Sequence, residues 1–143
     1  MNYWLKLIGS SDRPVTGRPW YGNFKEETIG FRRPGRPSIR NGDHLFLYAP
    51  GGSKSIFALA EVQTDPGQDT NYNPKEDGSC RWKIRIRYLT NLPVASGISI
   101  NDASLPVRSL SNSVTQQSHI RLSPDEYKHI YNKLQEKAAS RGE

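Results

Sequence analysis

The sequence predicts an α+β domain: a mostly antiparallel sheet or small barrel flanked by helices, with a helix at the C-terminus. Three observations predict it. Apolar runs of strand length, separated by Gly, Pro, Asn and Asp clusters, outnumber helical stretches. The segment Arg81–Tyr88 alternates cationic and apolar residues with the period of a strand. From Ser123 onward, a helix-start signal leads into an apolar stripe of helical spacing.

The elements follow in order. Tyr3–Ile8 is nearly continuous in strand formers, which suits a strand buried on much of both faces. Pro19 to Arg40 reads as an irregular loop holding Trp20, Tyr21, Phe24 and Phe31 with Arg32, Arg33, Arg36 and Arg40. A short helical turn is expected near Lys25–Ile29, and Pro34, Gly35 and Pro37 are expected to keep the basic run out of the sheet. Asn41-Gly42-Asp43 is a tight turn in which Gly42 can take a positive φ. His44–Ala49 and Ser55–Gln63 read as a hairpin joined through Pro50-Gly51-Gly52-Ser53.

Thr64–Ser79 is polar and reads as a long surface loop. In the following strand, Arg81, Lys83, Arg85 and Arg87 fall on one face, and Trp82, Ile84, Ile86 and Tyr88 on the other. Leu92–Ser118 is expected to form short helical turns anchored by residues such as Ile98, Ile100, Leu110 and Val114, with a last strand within Gln117–Leu122. Ser123-Pro124-Asp125-Glu126 then supplies an N-cap serine, a proline at the first helical position and a glutamate three residues after the cap. Tyr127, Ile130, Tyr131 and Leu134 form one stripe. Beyond Leu134 the residues turn polar, so 136–143 are expected to fray. A single domain is expected over 1–143.

The chain has 143 residues, the size of one domain, and only 34% are apolar, so the core is modest. Lys and Arg number 20 against 14 Asp and Glu, and the resulting charge of +6 attracts polyanions. Cys80 is the single cysteine, which excludes an internal disulfide and a cysteine-rich metal site. The opening run is too short for a signal peptide, and no stretch approaches the roughly 18 to 20 apolar residues that cross a bilayer. A soluble, cytoplasmic protein without a membrane partner is expected.

No nucleophile motif, glycine-rich phosphate loop or metal-spaced histidine pair is present, so no enzymatic activity, cofactor or metal is expected. The all-cationic strand face has two readings. It is an amphipathic surface strand, or its like charges are relieved by phosphates. The run Phe31-Arg32-Arg33-Pro34-Gly35-Arg36-Pro37 is likewise a solvated linker or a segment that tracks a nucleic-acid backbone. Trp4 and Trp82 lie in apolar patterns that suit a core, whereas Trp20 lies in a loop. Trp20, Asn23 and Tyr48 together can supply a stacking face and polar groups for an unpaired base.

Several segments resemble one family. They are Asn2-Tyr3-Trp4-Leu5-Lys6, Pro19-Trp20-Tyr21-Gly22-Asn23, Ile39 to Tyr48 with its Gly42-Asp43, Ala58-Leu59-Ala60-Glu61-Val62, Tyr72-Asn73-Pro74 with Arg81-Trp82, and Gln117 to Tyr127. In this order they resemble the EVE domain, a PUA-like module related to the YTH readers of methylated adenine. The chain departs from that pattern at Leu7-Ile8-Gly9, where the family has Ser-Glu-Pro, and in its arginine- and proline-rich loop after Trp20.

The resemblance implies a strongly bent sheet of five or six strands, with a pocket between loop and barrel for one modified or extruded base. Trp20, Asn23 and Tyr48 would line it, with Lys6, Trp82 and Ser118 as further positions. Backbone contact is assigned to Arg32, Arg33, Arg36, Arg40, Arg81, Lys83, Arg85 and Arg87. The expected function is non-catalytic reading of a methylated or hydroxymethylated cytosine, or a methylated adenine, in DNA. DNA is placed ahead of RNA, and a nuclease or other defence-system subunit is a further expected partner. The alternatives are a PUA-type RNA-binding module acting on tRNA or rRNA, a nucleotide or small-molecule binder, and a protein-interaction domain whose charge serves solubility.

Overall fold

Strand formers at period two pair into one sheet in the computed structural model. It describes residues 1–8, 26–31, 35–49, 54–68, 70, 73, 75, 81–92, 96–106, 108–110, 114 and 119–141. Among them the strands are β1 (Tyr3–Leu7), β2 (Glu26–Phe31), β3 (His44–Ala49), β4 (Ser55–Val62), β5 (Gly67–Gln68), β6 (Trp82–Asn91), β7 (Ile98–Ser99) and β8 (His119–Leu122). The helices are α1 (Ile100–Ala103) and α2 (Pro124–Arg141). The strands lie in the order β2-β6-β4-β3-β1-β8, with β5 beside β6 and β7 beside β4. β1 and β3 run parallel and the remaining pairs antiparallel. The expected α+β class with a mostly antiparallel sheet is what the chain adopts.

Alternation along the strands divides the core in two. Trp4, Leu45, Leu47, Ala58, Ala60, Ile84, Ile86, Ile29 and Phe31 form an inner cluster supplied almost wholly by strands. Leu5, Phe46, Tyr48, Ile56, Leu59, Ile120 and Leu122 form an outer cluster with Ile100 and Ala103 of α1 and Ile130 and Leu134 of α2. The inner face is concave. β2 and β8 end the strand order on opposite sides, yet the Phe31 and His119 rings lie 5.2 Å apart. The sheet is therefore curled into a half-barrel.

Two local motifs pin the frame. Gly42 has φ +94°, as the Asn-Gly-Asp turn requires. The turn delivers Asp43, 4% exposed, under the first strand. Its carboxylate accepts from the Asn2 amide (2.9 Å), the Trp4 indole Nε1 (2.9 Å) and the Arg40 amide (3.0 Å). At α2 the capping box forms in both directions: Glu126 N–H donates to Ser123 Oγ (3.1 Å), and Ser123 N–H donates to Glu126 Oε1 (2.9 Å).

The structure departs from the sequence expectations in several places. No helical turn forms near Lys25–Ile29; Glu26–Phe31 is instead strand β2, paired with β6 from Glu26↔Arg87 to Phe31↔Trp82. Ile29 and Phe31, two residues apart, both point into the inner cluster, and that burial outweighs Gly30 between them. The long polar loop contains β5, hydrogen-bonded to β6. Helix α2 continues to Arg141 rather than fraying after Leu134. Ala138 extends the apolar stripe onto the outer cluster, and Gln135 Nε2 donates to Thr90 Oγ1 of β6 at 2.8 Å, so the last turns have contacts to hold them.

Candidate nucleic-acid interface

Period two on β6 puts two kinds of surface back to back. Ile84 and Ile86 are buried on the inner face, with Trp82 and Tyr88 half-buried beside them. Lys83, Arg85 and Arg87 are exposed on the outer face, and Arg81, one residue before the strand, is half-buried. Arg85 and Arg87 meet carboxylates across the strands. Arg85 Nη2 lies 3.2 Å from Glu26 Oε2, and Arg87 Nη2 lies 3.3 Å from Glu61 Oε1. The like-charge repulsion noted in the sequence is thus relieved in part by Glu26 and Glu61. Both pairs are well exposed, a setting where such bridges contribute little and exchange partners readily.

The inner face has its own polar feature. Lys6 is 6% exposed. Its Nζ donates to the Leu7 carbonyl (2.9 Å) and sits 4.8 Å from the centroid of the Phe31 ring. A buried ammonium is costly unless paired or held against a ring face, and both contacts lower that cost. His119 is the cross-strand partner of Lys6, with its ring 5.9 Å from Trp4 and 5.2 Å from Phe31. Phe31 in turn pairs with Trp82 across β2–β6. Trp82, Phe31, His119 and Lys6 therefore form one inner row that spans both ends of the sheet.

Of the six pocket residues expected from the sequence, Lys6 and Trp82 share this inner row. Tyr48 does not. It is 2% exposed and belongs to the outer cluster beneath the helices, so it is a core residue on the opposite side of the sheet from Lys6 and Trp82. The register shift between Leu47 and Tyr48 accompanies its packing beside Phe46 and Ile56. Trp20, Asn23 and Ser118, together with Arg32 and Arg33, lie outside the described residues. Arg32 directly follows Phe31 and Ser118 directly precedes His119 in the chain.

The two described arginines of the basic loop are tied to backbone carbonyls. Arg36 Nε donates to Pro66 O at 3.2 Å, and Arg40 Nη1 donates to Pro37 O (2.7 Å) and Ile39 O (2.9 Å). Both residues remain exposed and keep their charge available. Sequence reasoning placed Phe31 in the basic loop rather than in this row, and it missed His119 as a site residue and Glu26 and Glu61 as partners of the cationic file. The available signals were the aromatic residue just before the Arg32-Arg33 pair and the histidine inside a strand.

Titration adds one further pair. His44 Nδ1 and the Tyr127 hydroxyl share a 2.7 Å hydrogen bond on the outer face. Burial lowers the His44 pKa, against the opposing pull of Glu61 and Asp43. Burial, reinforced by Tyr3 and Tyr131, pushes the Tyr127 hydroxyl up to about 12. Among the described residues no three His, Cys, Asp or Glu side chains gather as metal ligands. No helix of the described residues is long and apolar enough to cross a membrane.

No protein-family model matches the chain, and no curated protein matches it in sequence. Solved structures do match in shape. Protein Rpa0253 from Rhodopseudomonas palustris aligns with TM-score 0.65 at 15% identity, covering 98% of this chain and 94% of that one. Protein Atu2648 from Agrobacterium tumefaciens aligns with TM-score 0.60 at 18% identity, covering 91% and 90%. An ASCH protein from Zymomonas mobilis aligns with TM-score 0.50 at 11% identity, covering 92% and 94%. At these identities the likeness is one of fold. The chain has a PUA-like α+β fold.

Proposed function

We propose that this chain is a non-catalytic RNA-binding module of the PUA type. The observation that carries the reading is the exposed file Lys83, Arg85 and Arg87 on the outer face of β6. Cations spaced along one strand match the repeat of a phosphate backbone and release its counterions on binding. The likeness in fold to an ASCH protein supports RNA ahead of the DNA expected from the sequence.

Fluorescence anisotropy with a matched pair of labelled RNA and DNA oligonucleotides tests this over a range of salt concentrations. RNA should bind more tightly. The triple variant Lys83→Gln, Arg85→Gln, Arg87→Gln should reduce the slope of log K against log salt by about 2, near 0.7 per lost phosphate contact. Equal binding of RNA and DNA, with an unchanged slope in the triple variant, would sink the proposal.

A finer reading is favoured by the inner row. Lys6, Phe31, His119 and Trp82 combine a buried cation with aromatic faces, the materials that hold an unpaired or modified base. A methyl group adds only about 1 kcal/mol by area, so discrimination between modified and plain bases should be modest. Oligonucleotides carrying unmodified, 5-methyl- or 5-hydroxymethyl-cytosine and N6-methyladenine separate the cases. A preference for one of them, lost in Trp20→Ala and in Lys6→Met, supports base reading; identical affinities for all four exclude it.

A further inference from the structure

One cross-strand row traverses the outer face from β1 to β2. Tyr3 of β1 pairs with His44 of β3, His44 with Glu61 of β4, Glu61 with Arg87 of β6, and Arg87 with Glu26 of β2. An aromatic stack rises from its β1 end. The Tyr127 ring lies 4.0 Å from Tyr3 at 25°, and Tyr131, one helical turn on, lies 5.8 Å from Tyr127 at 24°. One more turn brings Gln135 to its hydrogen bond with Thr90 on β6.

Helix α2 therefore crosses the face from β1 toward β6. The eight residue steps from Tyr127 to Gln135 rise about 12 Å. That matches the roughly 14 Å of three strand spacings. Tyr131 stands midway along the helix between these two contacts.

This corner is unusual in what it leaves in water. Tyr131 is 39% exposed, and Leu89, next to Thr90, is 44% exposed; apart from Met1 they are the exposed large apolar side chains among the described residues. On the same outer face, further along β6, stand the exposed Lys83, Arg85 and Arg87. A stacked aromatic ring with an accessible edge of apolar surface, on one face with a line of cations, is the combination that holds bases and phosphates of one strand together. An acidic peptide would satisfy the cations but has no use for the stack. A duplex would satisfy them too, but its bases are already stacked on one another.

We infer that the outer face is a track for single-stranded RNA, in which Tyr131 stacks an unpaired base and Lys83, Arg85 and Arg87 hold the adjoining phosphates. The inference rests on the RNA-binding reading above and adds the strandedness of the ligand and the residue that senses it. It also assigns a second role to Glu26 and Glu61. Each occupies a cation of the track, so RNA must displace a carboxylate to reach Arg85 or Arg87.

The test compares a labelled 12-nucleotide single-stranded RNA with the same strand annealed into a duplex, using wild type, Tyr131→Ala, Tyr131→Leu and Tyr131→Trp. The expected result is a clear preference for the single strand. Tyr131→Ala and Tyr131→Leu should each weaken it by roughly five- to tenfold, with little change in salt slope, because stacking releases no counterions. Tyr131→Trp should bind as well as wild type. The leucine variant keeps apolar cover on Tyr127, so a loss common to both, with unchanged thermal unfolding, reports the ring itself. If wild type binds single strand and duplex equally and Tyr131→Ala is silent, this inference falls while RNA binding stands. If wild type binds neither, both fall.

Discussion

On β6 the inward side chains Ile84 and Ile86 are sealed in the inner cluster, whereas the outward Lys83, Arg85 and Arg87 stand in water. The two faces of the sheet differ in the same way. The inner face is closed by the sheet's own curl and by a buried carboxylate, with Asp43 holding three N–H groups at once. Among the described residues, α1 and α2 pack on the outer face, and Lys83, Arg85 and Arg87 of β6 remain exposed there. On β6, then, sealed packing and exposed charge occupy opposite sides of one strand. Substitutions at Ile84, Ile86 and the helix-covered core should change folding, and those at Lys83, Arg85 and Arg87 should change affinity.

The largest effect should come from Asp43→Ala. It strands the Trp4 indole N–H and two backbone N–H groups in buried or part-buried positions, and should cost about 3 kcal/mol or more in urea unfolding. A loss below 1 kcal/mol would mean the knot is not what closes the inner face.

Gly97→Ala should rank next. A Cβ there would lie 2.5 Å from the Ile56 carbonyl oxygen and 3.0 Å from Phe57 Cα, both backbone, so the strand itself must shift. About 1–3 kcal/mol is expected, against almost none for Gly35→Ala, where nothing lies within 4 Å. Equal thermal midpoints for the two variants would contradict the close approach.

The triple glutamine variant of Lys83, Arg85 and Arg87 should lose salt-dependent RNA affinity yet change stability by less than about 1 kcal/mol, since its ion pairs are exposed. Glu26→Gln with Glu61→Gln should do the reverse and tighten RNA binding by a few-fold, roughly the worth of freeing two surface cations. Weaker binding in that double variant would show that the carboxylates order the arginines rather than compete for them.

The smallest effect is in acid. The His44 pKa is lowered in the fold, so the unfolded chain takes up its proton first as pH falls below 6.5. The stability tied to neutral His44 is complete above 6.5 and declines as pH falls from there through the folded pKa. For Glu126, burial pushes the pKa up, but the Arg108 guanidinium and the Ser123 cap outweigh it and hold it below 4.5. Its contribution is complete above 4.5 and is lost as pH falls through the folded value. Unfolding midpoints should therefore drop in two stages, and His44→Gln should remove only the upper one.

What could be read from the chain without its fold was local. The Ser123–Glu126 box, the Gly42 turn and the two-sided character of Arg81–Tyr88 each depend on residues within a few positions of one another, and all three form as expected. Strand β2 was not legible, because only Ile29 and Phe31 mark it and its partner β6 lies some fifty residues away in the chain. The side of the sheet on which Tyr48 packs was equally hidden, since it depends on strand pairing and an irregularity across β3–β4. The meeting of Lys6, Phe31 and His119, and the stack of Tyr3, Tyr127 and Tyr131 on the outer face, required the curl of the whole sheet and the path of α2 across it. Periodicity and capping are set by backbone geometry over one or two turns. A site is set by which distant segments share a face, and only the packed structure decides that.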